Sequence, residues 1–135
     1  MSRCKLLTKG EVMIKGSCCC GRIKFELTKS PTVMGTCHCS RCRKSGASTI
    51  VFVEGESLRW ALGKELVATY KPEPPFKYSR NFCSICGTSL GEILSQDESF
   101  PISASCFDDD PIVRNTFHEH IDSKPAWYQI SDGEK

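Results

Sequence analysis

No apolar run in this chain approaches the roughly 18 residues that a membrane-spanning helix needs. The opening stretch, Met1-Ser-Arg-Cys-Lys-Leu-Leu-Thr-Lys, lacks the apolar core of a secretory signal. There is no low-complexity segment and no internal repeat, so long disordered regions and solenoid architectures are both disfavoured. Charge is nearly balanced, with 18 Lys and Arg against 16 Asp and Glu for a formal +2. Seven thiolates binding two Zn²⁺ would lower that sum by three, to −1. Neither value argues for a nucleic-acid or membrane partner. At 135 residues there is room for one core of ordinary size and not two.

Cysteine is what the chain has in excess, with ten residues. Such a count means either a secreted disulfide scaffold or metal sites in a reducing compartment. The missing export signal weighs against disulfides. So does clustering into Cys-x-Cys and Cys-x-x-Cys pairs, which suit chelation better than stapling. Metal binding and cytoplasmic residence are therefore expected.

Short β-like segments dominate the rest. Residues 1–10 read as a loosely attached leader, residues 11–130 as the domain, and the end from Ser131 as a frayed tail. Arg22–Leu27 alternates polar and apolar with period two, as a half-buried strand does. Gly16 to Gly21 reads as a hairpin corner with Cys18 and Cys20 near its tip. Val33–Thr36 should be a strand delivering Cys37. A single helical turn is expected over Ser40–Ser45, with Cys39 or Ser40 at its start and Gly46 as its stop. Ser48–Val53 reads as a buried strand, with further strands at Leu58–Trp60, Glu65–Tyr70, Lys77–Phe82, Ser89–Leu94, Ile102–Ser105 and Thr116–His118. Pro72, Pro74 and Pro75 make the Lys71–Pro75 connection a rigid loop. The spacing predicts an antiparallel, mostly β fold.

Two cysteine groups carry the chemistry. Cys83-Ser-Ile-Cys86-Gly87 has the form of a zinc knuckle, in which Gly87 permits the left-handed backbone after the turn. Four ligands close a structural zinc site, and Cys18 and Cys20 are the natural complement. Zinc there would clamp the first hairpin to a late one. The second group, Cys37, Cys39 and Cys42, has three thiols beside Arg41, Arg43 and Lys44. A start-of-helix position and these cations favour thiolate. Three protein ligands leave the open position of a catalytic metal. A fourth ligand from His38, His118, His120 or Cys106 would close it into a second structural site. A redox Cys39-x-x-Cys42 pair lacks the βαβ context that such a motif needs. Arg41 and Lys44 are candidates to hold a substrate carboxylate, and Trp127 reads as core. Cys4, Cys19 and Cys106 are surplus to both groups.

Gly16-Ser-Cys18-Cys-Cys20-Gly21 before Phe25, Cys37-His-Cys39-Ser-Arg-Cys42-Arg-Lys44 before Gly46, Phe82-Cys83-Ser-Ile-Cys86-Gly-Thr88, and a closing Ser123-Lys-Pro-Ala-Trp127 together resemble one family. It is that of the glutathione-dependent formaldehyde-activating enzymes, the GFA or centromere-protein-V domain. The resemblance spans roughly residues 12–130. It implies a single-domain, zinc-stabilised β-tent of short antiparallel sheets. It gives Cys18, Cys20, Cys83 and Cys86 to a structural Zn²⁺ and Cys37, Cys39 and Cys42 to a catalytic one. It also implies a carbon–sulfur lyase-type activity, adding a thiol such as glutathione to formaldehyde or a related small aldehyde. The alternative from another class is a zinc-stabilised module that binds a peptide or protein without chemistry.

Overall fold

The computed structural model describes residues 13–130. The expected leader, the expected tail and Cys4 lie outside the described residues. Period-two alternation does produce the first hairpin. β1 (Ile14–Ser17) pairs antiparallel with β2 (Lys24–Leu27), and Gly16 faces Phe25 across the pair. Phe25 packs its ring over Gly16, where a β-carbon would lie within 2.7 Å of ring atom Cε1. Only glycine admits so close an approach. β2 also pairs with β5 (Leu58–Leu62), completing the first sheet in the order β1-β2-β5.

The second sheet runs β10-β3-β4-β9, with β10 at Asn115–Glu119. β3 (Val33–Cys37) and β4 (Thr49–Glu54) are antiparallel neighbours, and β9 (Ser99–Ser103) extends the sheet beyond β4. The β3–β4 connection carries α1 (Ser40–Ser45), the one α-helix among the described residues. Cys39 caps it, its sulfur accepting from the Cys42 amide. Gly46 ends it in the left-handed conformation at φ 74°. The third sheet is β6-β7-β8, with β6 at Val67–Tyr70, β7 at Arg80–Cys83 and β8 at Ser89–Gly91.

The three sheets share one core. Ile14, Phe25 and Leu27 come from the first, Val51, Val53, Phe100 and Ile102 from the second, and Cys83 and Leu90 from the third. Burying each large side chain contributes roughly 1.5–3 kcal/mol. Open sheets leaning on a common core make this a mostly β, single-domain β-tent. Among the described residues no helix is long and apolar enough to cross a membrane.

Several local expectations shift. β4 buries Val51 and Val53 on one face only, rather than being buried throughout. β8 stops at Gly91, whose φ is 70°. There a β-carbon would meet the Ile102 backbone at 2.6 Å, so β8 and β9 approach too closely for any larger residue. β10 (Asn115–Glu119) runs parallel to β3, the one parallel pairing in an otherwise antiparallel set. Trp127, expected in the core, is 77% exposed. It lies beyond the last strand, where no other described element covers it.

Candidate metal centres

Two turns bring the first cysteine group together. Cys18 and Cys20 sit in the β1–β2 turn, Cys83 ends β7, and Cys86 lies in the turn towards β8. Their sulfurs all lie within 4.8 Å of one another. The Cys18–Cys20 separation is 3.6 Å and the Cys20–Cys83 separation 3.9 Å. A tetrahedral ion with metal–sulfur bonds of about 2.3 Å requires edges near 3.8 Å. Both distances far exceed the disulfide bond of about 2.05 Å.

Donors surround these sulfurs. The Ile23 amide donates to Cys18 Sγ at 3.4 Å, and the Cys20 amide to Cys86 Sγ at 3.4 Å. Cys83 Sγ accepts from the amides of Ile85 and Cys86 at 3.3 and 3.4 Å. Thr88 Oγ1 lies 3.2 Å from Cys86 Sγ and also accepts from the Cys19 amide at 2.9 Å. The Thr88 hydroxyl and amide hold the Cys86 thiol down at about 5. The Arg22 amide lowers Cys20 as well, whereas burial raises Cys83. Hydrogen bonds to a thiolate favour the ligand form. This cluster therefore has the spacing and the donors to hold a metal.

The second group is built on α1. Cys37 ends β3, Cys39 caps the helix, and Cys42 lies one turn in. All three are half-buried, with sulfurs again within 4.8 Å of one another. Burial pushes Cys37 up to about 12. Burial acts against Cys39 too, but the Cys42 amide, 3.3 Å from its sulfur, and the neighbouring thiols bring it below the ordinary value. A buried thiol held neutral in this way becomes a ligand when a cation compensates its charge. This cluster could also hold a metal.

None of the candidate fourth ligands joins the trio: among the described residues no His, Cys, Asp or Glu adds a ligand atom to it. His38 is buried and turned away, its Nε2 2.8 Å from His118 Nδ1 on β10. His118 in turn meets the Asn115 amide at 3.2 Å, and Asn115 accepts from Thr36 at 3.1 Å. Polar side chains thus fix the arch between Cys37 and Cys39 to the second sheet. His120 follows β10 in a left-handed conformation. Cys106 is buried and donates to the Ser103 carbonyl at 3.1 Å, while Cys19 is exposed.

The GFA family model, described as glutathione-dependent formaldehyde-activating enzyme, matches residues 13–123. The chain belongs to that family. The chain is also similar in fold to a crystal structure of a Rhodobacter sphaeroides protein from a structural-genomics programme. It is 26% identical and superposes with a TM-score of 0.55, over 70% of this chain and 87% of the other. No curated protein matches the chain. Both cysteine groups of this GFA chain fall inside the matched span.

The two expected substrate cations part company. The Arg41 guanidinium lies over the Phe76 ring, 3.8 Å from its centroid, and donates to the Tyr70 hydroxyl at 3.5 Å. It lines a cavity of about 280 Å³. Lys44, in the last turn of α1, is exposed and lines neither cavity beside the helix. Sequence reasoning missed Arg80. Its Nη1 donates to Cys42 Sγ at 3.7 Å and to Ser45 Oγ at 3.3 Å. Nothing in the local pattern links it to a cysteine 38 positions earlier.

Proposed function

We propose that the protein is a zinc-dependent carbon–sulfur lyase-type enzyme that adds a thiol, glutathione or a relative, to formaldehyde or another small aldehyde. Cys18, Cys20, Cys83 and Cys86 would hold a structural zinc, and Cys37, Cys39 and Cys42 a catalytic one. The observation that carries this reading is the difference in ligand number between two sulfur clusters in a GFA-family chain. The first offers four sulfurs. The second offers three, and its histidine neighbour is engaged elsewhere.

When bound at three sulfurs, zinc supplies a Lewis acid and a site at which a thiol ionises. Sulfur-rich coordination suits a soft sulfur substrate. Cys37, Cys39 and Cys42 fix where the reacting groups meet, which turns a bimolecular encounter into a local one. The Cys42 amide on Cys39 and the Arg80 guanidinium on Cys42 draw charge from the ligand sulfurs. Arg41 and Lys44 would hold a substrate carboxylate, Arg41 from the wall of a cavity and Lys44 from the exposed last turn of α1. The reaction itself is redox-neutral. A carbon–sulfur bond forms as the carbonyl π bond opens, and the thiol proton ends on the new hydroxyl oxygen.

Metal analysis combined with NMR of ¹³C-formaldehyde and glutathione tests the proposal. Two zinc equivalents and adduct formation faster than the uncatalysed rate are expected. Two tightly held zincs indifferent to thiols and aldehydes would favour a binding module instead.

A further inference from the structure

The three-cysteine group spans two kinds of backbone. Cys37 closes β3, Cys39 and Cys42 belong to the start of α1, and His38 joins the two. Where the strand end meets the helix start is therefore set at residue 38, and three hydrogen bonds tie that residue. Its amide donates to the Glu119 carbonyl at 2.8 Å, its carbonyl accepts from Arg43 Nε at 3.4 Å, and its ring Nε2 lies 2.8 Å from His118 Nδ1. Two of these three partners stand on β10, whose parallel register puts Glu119 beside Cys37 and His118 beside Thr36. The Tyr128 ring stands at 81° to the His38 ring, with centroids 5.2 Å apart.

The hydrogens along this chain have one consistent order. Thr36 Oγ1 donates to Asn115 Oδ1 at 3.1 Å, which leaves the Asn115 amide nitrogen to donate to His118 Nε2 at 3.2 Å. A neutral imidazole that accepts at one nitrogen carries its hydrogen on the other. His118 Nδ1 therefore donates to His38 Nε2, and each partner orients the next, from the second sheet to a ring that is 1% exposed. The four-cysteine cluster has no part in this chain. Its sulfurs take their hydrogen bonds from the amides of Ile23, Cys20, Ile85 and Cys86. Groups that orient metal ligands commonly change metal affinity about 10–100-fold, and a centre with three protein ligands has none to spare.

We infer that His118 is a positioning residue for the three-cysteine centre. Through His38 it holds Cys37 and Cys39 at the separation that one metal ion needs, and so sets metal affinity there without touching the four-cysteine cluster. The inference rests on the reading of Cys37, Cys39 and Cys42 as a metal site, and adds to it a residue that is not itself a ligand.

Stepwise removal of zinc by a chromogenic chelator at fixed pH supplies the test, because it reads two affinities in one folded chain. His118→Ala should weaken zinc at Cys37, Cys39 and Cys42 at least about tenfold and leave the other zinc unchanged. Two amide variants separate the hydrogen bond from the bulk of the ring, since asparagine carries its nitrogen where imidazole has Nδ1 and glutamine where it has Nε2. His118→Asn should hold that zinc within about threefold of wild type, whereas His118→Gln falls with alanine. In a His38→Ala background, His118→Ala should weaken it no further. In Cys39→Ser protein, expected to keep only the four-cysteine zinc, His118→Ala should leave the remaining affinity as it was. Equal losses from both sites, or asparagine no better than glutamine, overturn the positioning role and leave the metal assignment standing. A nitrogen neighbour of zinc in the X-ray absorption of wild type that vanishes in His118→Asn would make His118 a ligand, and overturns the role as well. Wild-type protein that binds a single zinc overturns the metal reading together with the inference.

Discussion

Gly35→Ala offers a sharp test of how the second sheet supports the three-cysteine centre. Gly35 is buried in β3 and faces Phe117 of parallel β10. A β-carbon there would fall deep inside the Phe117 ring, against Cζ, Cε1 and Cε2. Carbon atoms prefer separations of about 3.5–4.0 Å, so the ring or the strand must withdraw. Overpacking of this kind costs about 1–3 kcal/mol. The unfolding entropy of a domain this size is about 0.25 kcal/mol per kelvin, so Tm should fall by roughly 4–12 °C. Both proteins must be zinc-replete in the thermal melt, because metal loss would blur the transition. His118 follows Phe117 and meets His38, which lies between Cys37 and Cys39. Displacing β10 should therefore weaken metal at Cys37, Cys39 and Cys42 more than at the four-cysteine cluster. Phe117→Ala removes the obstacle, so the double variant should be about 0.5–3 kcal/mol less destabilised than the sum of the singles. A Tm for Gly35→Ala within a degree of wild type, or strict additivity in the cycle, would refute the reasoning.

Cys83→Ser should abolish the near-UV circular dichroism of a packed core, because structural zinc contributes about 10–16 kcal/mol in small peptides against a net stability of roughly 5–15 kcal/mol. Cys39→Ser should keep that signal while losing one of two zinc equivalents and all turnover, and equal metal content in both variants would contradict the assignment. The Thr88 hydroxyl and amide hold the Cys86 thiol down at about 5, below its ordinary value of 9.0. The folded chain therefore holds fewer protons there than the unfolded one between those values. Its contribution is complete above about 9 and disappears as pH falls through about 5, so acid-induced metal release from the four-cysteine cluster should have its midpoint near pH 5 or below. Burial pushes Cys106 up to about 12, the opposite sign, with stability lost as pH rises from about 9 towards 12. Iodoacetamide at pH 8 should leave Cys106 unmodified in folded protein, as peptide mass mapping would reveal.

Local chemistry was legible in the sequence wherever one short segment determines it. Gly46 stops α1 because only a residue tolerant of positive φ can end the helix there. Cys39 lies at the helix start because the chain must leave β3 and turn within two residues. The two clusters were legible for the same reason, since each pair or trio is built by one turn. What joins distant segments was not. The parallel docking of β10 depends on an aromatic ring finding a glycine 82 positions earlier, and no periodicity encodes that. Trp127 shows the reverse error, because hydrophobicity alone does not say whether another element will cover a side chain.

Arg80 shows why the missed residues matter to the site. β7 is four residues long, about 10 Å from first to last α-carbon. Its first residue donates to Cys42 of the three-cysteine cluster, and its last belongs to the four-cysteine cluster. Antiparallel pairing with β6 also puts Tyr70 opposite Arg80 and Val67 opposite Cys83. One register therefore sets Tyr70, which lines both cavities beside α1, against Arg80, and the knuckle against its sheet. A metal clamped at Cys83 would restrain the strand that carries Arg80. On this geometry a metal in the four-cysteine cluster would act on function as well as stability, because the guanidinium beside Cys42 can be no better placed than the end of the strand that holds it.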